Sequence, residues 1–145
     1  MRERDGRLYW NTPSERKNVN TTPPVPAATG LITFFYYENL DGAVAFYRDV
    51  MGFELVTDQQ WAKIFRVAGE AFVGCVDGAR GYHRPSESKP VLLTVVVDDP
   101  DAWYAHFQRC GVRTLGVPRD DEDLGVRIFF LEDPEGYAIE IQKFY

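Results

Sequence analysis

Two stretches decide the fold: Ile32-Thr33-Phe34-Phe35-Tyr36-Tyr37-Glu38-Asn39, running on through Leu40–Met51 to Gly52, and Leu92-Leu93-Thr94-Val95-Val96-Val97-Asp98, running on through Asp99–Cys110 to Gly111. Each reads as an apolar strand, an Asx residue suited to capping a helix, an amphipathic helix, and a glycine suited to ending it. Asn39 stands as far from Gly52 as Asp98 does from Gly111. In the first copy Leu40, Val44, Tyr47 and Met51 fall on one helical face; in the second, Trp103, Phe107 and Cys110 mark the buried face. A duplicated unit this compact predicts two half-domains closing over a cleft, whose lining carries the function.

Working outward, Phe53–Thr57, Trp61–Val67 and Ala71–Val76 read as three short strands after the first helix, and Gly78–Lys89 as a polar linker between units. After the second helix, Arg113–Val117 reads as a strand ended by Pro118, and Asp120-Asp121-Glu122-Asp123 as a solvated loop. Val126–Leu131 and Tyr137–Lys143 are strands joined by Asp133-Pro134-Glu135-Gly136, a turn in which proline pre-sets its own φ and glycine accepts a positive one. The fold class is therefore α+β: two tandem β-α-β-β-β units forming a curved eight-stranded mixed sheet around a cleft, helices outside. Unit one spans 31–88 and unit two 89–145. Residues 1–30 stand apart as an N-terminal extended arm or linker, with Leu8, Tyr9 and Trp10 as its docking candidates.

Composition narrows the function. In 145 residues, a hydrophobic content of 45% and an aromatic content of 14% suffice for a packed core. A net charge of −6 argues against nucleic acid or an anionic membrane as partner. With no membrane-length apolar run and no hydrophobic leader, the sequence reads as cytoplasmic. Cys75 and Cys110 are too isolated for a disulfide framework or a zinc knuckle and read as small buried hydrophobes.

The segment Ala45-Phe46-Tyr47-Arg48-Asp49-Val50-Met51-Gly52-Phe53 after strand one, with Asp133-Pro134-Glu135-Gly136-Tyr137-Ala138-Ile139-Glu140-Ile141 near the end, resembles the vicinal oxygen chelate superfamily. That superfamily includes glyoxalase I, extradiol dioxygenases, fosfomycin-modifying enzymes and bleomycin-binding proteins. In its metal-dependent members the resemblance implies four ligand positions facing the cup: His or Gln near the start of strand one, Glu on the last strand of unit one, His opening unit two, and Glu on the last strand. Aligned without gaps, these positions hold Ile32, Gly74 (beside Cys75), Leu92 and Glu140. Only Glu140 can donate. A divalent ion in an N/O site needs several imidazole and carboxylate donors converging at about 2.0–2.2 Å, so the sequence predicts a divergent, metal-free cup. The resemblance also implies a homodimer.

Strand alternation sets Ile32, Phe34 and Tyr36 on one face and Thr33, Phe35 and Tyr37 on the other. If Glu140 faces the cup, Ala138 and Gln142 do too, while Ile139 and Ile141 pack under a helix. Phe72, Gly74, Val76, Leu92, Thr94 and Val96 would share the cup. Candidate ligand-binding residues are thus Phe34, Tyr36, Trp61, Phe72, Thr94 and Gln142, an apolar and aromatic lining with few polar handles. Glu140 is the candidate catalytic carboxylate, or a carboxylate held by Arg66 or Arg127. His83 on the linker is a second catalytic candidate, and His106 reads as a partly exposed helix residue. The expected function is metal-independent binding of a small apolar or aromatic molecule, with no cofactor. The alternatives are a lyase, isomerase or dioxygenase using Glu140, and a structural dimer whose cup is filled.

Overall fold

The computed structural model describes the backbone of residues 2–4 and 7–9 and, in full, residues 23–145. Strands β1 (Arg2–Arg4) and β2 (Arg7–Tyr9) pair antiparallel. The expected docking of this arm through Leu8, Tyr9 and Trp10 lies outside the described side chains.

Unit one consists of β3 (Leu31–Tyr37), α1 (Leu40–Ala45) with a π-helical continuation (Phe46–Val50), β4 (Glu54–Asp58), β5 (Ala62–Ala68) and β6 (Ala71–Asp77). Unit two repeats the order with β7 (Leu92–Val96), α2 (Pro100–Arg109), β8 (Thr114–Asp121), β9 (Val126–Glu132) and β10 (Ala138–Phe144). The eight strands form two four-stranded mixed sheets, β3-β6-β5-β4 and β7-β10-β9-β8. In each, the first and last strands of the unit pair in parallel, β3 with β6 and β7 with β10. A parallel pair needs a long crossover, and the helix of each unit begins it. No helix among the described residues is long and apolar enough to cross a membrane.

The first cap is the Asx residue the sequence marks, Asn39; the second lies one residue beyond Asp98, at Asp99, because α2 begins at Pro100. Asn39 Oδ1 accepts from the Gly42 N–H at 3.0 Å, and Asp99 Oδ1 from the Ala102 N–H at 3.0 Å. Gly52 and Gly111 follow the helices with φ of +70° each. The first helix widens in its second half, where Met51 N–H donates to the Phe46 carbonyl. That looser turn accompanies the burial of two consecutive aromatics, Phe46 and Tyr47.

Other local expectations fail as well. Cys110 is exposed, because α2 ends at Arg109 and the chain unwinds toward Gly111 at that residue. Pro118 does not end its strand: β8 runs to Asp121, with a break in register between Leu115 and Arg119. β8 is an edge strand, where a missing N–H is tolerated at a bulge. Asp120 consequently lies in the strand, accepting from Arg127 at 3.0 Å and from the Tyr145 hydroxyl.

One apolar core spans both units. Phe35, Phe65 and Val73 of the first sheet join Phe107 of α2 and Phe129, Ile139 and Ile141 of the second sheet, all essentially inaccessible. Within this core the Asp133–Gly136 turn forms a polar latch. Gly136 has φ +86°, and its N–H donates to the Asp133 carbonyl. The Asp133 carboxylate accepts from the Tyr37 hydroxyl at 2.6 Å, the Tyr47 hydroxyl at 3.1 Å, and the backbone N–H groups of Glu135 and Tyr137 at 2.9 and 3.0 Å. Glu135 accepts from the N–H groups of Glu38 and Asn39 at 2.8 and 2.9 Å, just ahead of α1. One four-residue turn of unit two therefore grips the end of β3 in unit one. Burial first, then the Asp133 charge and neighbouring acidic groups, pushes the Tyr37 and Tyr47 phenols and the Cys75 thiol well above their ordinary ranges.

Candidate functional site

With Phe35 and Tyr37 turned into the core, Ile32, Phe34 and Tyr36 occupy the opposite face of β3, where Ile32 is 41% and Phe34 40% exposed. Phe34 pairs in register with Gly74, and its ring lies directly on that glycine: a Cβ there would come within 2.3 Å of Phe34 Cδ1. The bare backbone of Gly74 is what lets the ring lie flat against the sheet.

The linker is a strap pinned across the end of β3. Gly78 N–H donates to the Tyr37 carbonyl at 2.9 Å, and Arg80 and Gly81 N–H groups donate to the Asp77 carbonyl. Arg84 Nη1 closes the loop from inside, donating to the Gly78 and Gly81 carbonyls at 2.9 and 3.0 Å. Gly81 has no room for a side chain, since a Cβ would approach Val76 at 2.6 Å and Tyr36 at 2.8 Å. So fixed, the strap sets the His83 imidazole edge-on to the Tyr36 ring at 5.2 Å between centroids.

Tyr137, the first residue after the turn, completes the enclosure. Its hydroxyl accepts from the Tyr36 N–H at 3.0 Å and donates to the Tyr36 carbonyl at 3.1 Å, so one phenol satisfies both backbone groups on the free edge of β3. Its ring stacks on Phe35 at 4.3 Å, and the Lys89 ammonium lies 5.0 Å from its centroid. Between β3 and the strap remains a pocket of about 440 Å³, lined among others by Phe34, Tyr36, His83, Arg84, Lys89 and Tyr137. That volume lies in the ordinary range for small-molecule sites.

The anticipated site residues fall into separate groups. Phe34, Tyr36 and His83 meet at this pocket. Phe72 does not line it: on β6 it pairs with Ile32 and lies under the Arg66 guanidinium at 4.8 Å. Thr94, Glu140 and Gln142 lie on the second sheet, where Thr94 and Glu140 pair in register and the Thr94 hydroxyl donates to Glu140 Oε1 at 2.9 Å. Gln142 is nearly buried, and Trp61 sits just before β5, 37% exposed. The expected arginine partners of Glu140 are committed elsewhere: Arg127 pairs with Asp101 at 2.7 Å and Asp120 at 3.0 Å, and Arg66 with Glu54 and Glu70. His106 is half-buried, its Nε2–H donating to the Val50 carbonyl at 2.7 Å beneath the π-helical turn. Sequence reasoning missed Tyr137, Lys89 and Arg84. For Tyr137 a signal existed, since an aromatic directly after a tight turn that precedes a strand is placed by the turn.

A metal finds no cage at the four family positions. Ile32, Gly74 and Leu92 offer no donor beside Glu140, and the Phe34 ring covers Gly74. Among the described residues no three His, Cys, Asp or Glu side chains gather closely enough to hold an ion. The residues present do not fit the metal that the family's metal-dependent members use.

Residues 31–141 match the model of the Glyoxalase/Bleomycin resistance protein/Dioxygenase superfamily, and the chain belongs to that superfamily. Among solved structures it is similar to lactoylglutathione lyase from Agrobacterium tumefaciens, at 22% identity and TM-score 0.67, over 81% of this chain and 95% of that one. It is also similar to TioX from Micromonospora sp. ML1, at 19% identity and TM-score 0.68, over 81% and 100%. A superfamily member from Sphaerobacter thermophilus DSM 20745 aligns at 18% identity and TM-score 0.69, over 81% and 98%. At these identities the likeness is one of fold. No curated protein gives a significant match.

Proposed function

We propose that this protein binds a small aromatic or apolar molecule without a metal, in the pocket between β3 and the 77–90 strap. The observation that carries the reading is a preformed cavity of about 440 Å³ walled by Phe34, Tyr36 and Tyr137. Its walls are held by backbone hydrogen bonds and glycine contacts that need no ligand to form, and preorganisation of this kind lowers the cost of binding. The donor-poor set Ile32, Gly74, Leu92 and Glu140 supports metal independence. Isothermal titration of EDTA-treated protein with naphthalene derivatives tests it: saturable binding that Tyr36→Ala abolishes is expected, and a flat response to every naphthyl probe would reject it.

The free chain also exposes Ile32, Phe34, Leu92 and Val96, each 40–48% accessible, on the sheet faces turned away from the core. A second copy covering those faces accords with a homodimer. Sedimentation equilibrium checks this, with the dimer mass expected at micromolar concentration. A second reading is favoured by the Thr94–Glu140 pair. Glu140 is half-exposed and has no cation within 4.0 Å among the described residues, so it could serve as the general base of a lyase or isomerase. Turnover abolished by Glu140→Gln but not by Tyr36→Ala would favour that reading.

A further inference from the structure

We propose that the strap pocket selects an aromatic monocarboxylate, its ring against Phe34 and Tyr36 and its single negative charge held between Lys89 and Arg84. This rests on the small-molecule reading above and specifies the charge of the ligand.

The chain is acidic, with a net charge of −6, yet no Asp or Glu lines this pocket, whereas His83, Arg84 and Lys89 do. The ion pairs among the described residues involve Arg48, Lys63, Arg66, Arg119 and Arg127, and neither Arg84 nor Lys89 has a carboxylate oxygen within 4.0 Å. Two cations thus flank an aromatic wall, neither in ion-pair contact with a carboxylate of the described residues.

Both are held in place with donors to spare. Arg84 uses Nη1 on the Gly78 and Gly81 carbonyls, which fixes the guanidinium plane and leaves Nε and Nη2 unengaged by the described residues. Lys89 Nζ donates to the Ser86 carbonyl and rests over the Tyr137 ring, leaving further ammonium protons for a ligand. A carboxylate meeting these groups would form charge-assisted hydrogen bonds beside apolar surface, where they are stronger than in water.

The neighbouring surface limits the charge. On the other side of Lys89 a hollow of about 470 Å³ is lined by Glu38, Glu87 and Glu135. Glu135 is engaged by the Glu38 and Asn39 N–H groups, but its charge and the other two remain close. Their field opposes a second negative charge on the ligand, so a monoanion fits better than a phosphate dianion.

The test is isothermal titration of the full chain in EDTA with 1-naphthoate, 1-naphthamide, 1-naphthylmethylammonium and 1-naphthyl phosphate. The carboxylate is expected to bind at least about tenfold more tightly than the isosteric amide, as loss of a charge-assisted contact implies. The ammonium probe should bind weakest, and the phosphate no more tightly than the carboxylate. Lys89→Met should weaken 1-naphthoate by about tenfold, and both Lys89→Met and Arg84→Gln should weaken 1-naphthoate more than 1-naphthamide, since Arg84 also pins the strap. Amide binding equal to the acid, tighter binding of the ammonium or phosphate, or indifference of both variants would overturn the charge assignment while the pocket reading survives. Absence of binding by every naphthyl probe would overturn both.

Discussion

Replacing Asp133 by alanine should loosen unit two from unit one. Asp133 is 5% exposed, and its carboxylate accepts four hydrogen bonds, two from phenols that are wholly buried and two from the backbone N–H groups of Glu135 and Tyr137. The loss is smaller than four bonds, because the Tyr37 and Tyr47 hydroxyls lie 3.2 Å apart and one can donate to the other. Glu135 is only half-buried, so water can reach its N–H. That leaves one phenol and the Tyr137 N–H without an acceptor. At about 1–3 kcal/mol for each buried orphan, plus the lost charge assistance, the expected destabilisation is about 3–5 kcal/mol. Asp133→Asn keeps an acceptor for the turn but presents an amide donor to the phenols, and should cost about 1–2 kcal/mol. Urea unfolding reads both as a lower midpoint with an unchanged slope. If Asp133→Ala unfolds within about 1 kcal/mol of the parent, the latch is not what joins the units, and the reasoning from buried acceptors is refuted.

The same cluster predicts a pH dependence. Burial pushes ionisation of Tyr37, Tyr47 and Cys75 to higher pH in the folded state, whereas the unfolded groups titrate near about pH 8.5 to 10. Their contribution is therefore fully present below about pH 8 and is lost as pH rises, by about 1.4 kcal/mol per pH unit for each proton released on unfolding. Urea midpoints that stay level from pH 8 to 11 would contradict this, and Tyr37→Phe should shallow the decline. Gly136→Ala forces a side chain into φ +86° and should cost about 1–2 kcal/mol in the same assay. Gly81→Ala drives a methyl into Val76 and Tyr36, so titration should show 1-naphthoate affinity falling by about tenfold as the strap lifts.

Periodicity and caps made most of the fold legible. Period-two alternation separated Phe34 and Tyr36 from Phe35 and Tyr37, and Asn39, Gly52 and Gly111 announced the helices, with Asp98 one residue short of the second cap at Asp99. Pro118 misled because its cost depends on whether the strand is an edge, which is a property of sheet order. Cys110 misled because helical spacing was extended across the cap. The failures at the site are of another kind. Glu140's partner could not be read from proximity along strands, because Arg127 is drawn to Asp101 on α2 and Asp120 on β8 instead. Tyr137's role depends on a free strand edge that only the folded arrangement creates, and Lys89 and Arg84 acquire meaning once the strap crosses β3. Gly74 was readable as a missing ligand, but not as the seat of the Phe34 ring.

Metal-free binding of an aromatic ligand in the pocket between β3 and the strap underlies everything proposed for this protein. Its most direct test is a nuclear magnetic resonance titration of isotopically labelled protein with 1-naphthoate in EDTA. Saturable shifts centred on Phe34, Tyr36, His83, Lys89 and Tyr137 are expected. Shifts centred instead on Thr94 and Glu140, or none at all, would contradict it.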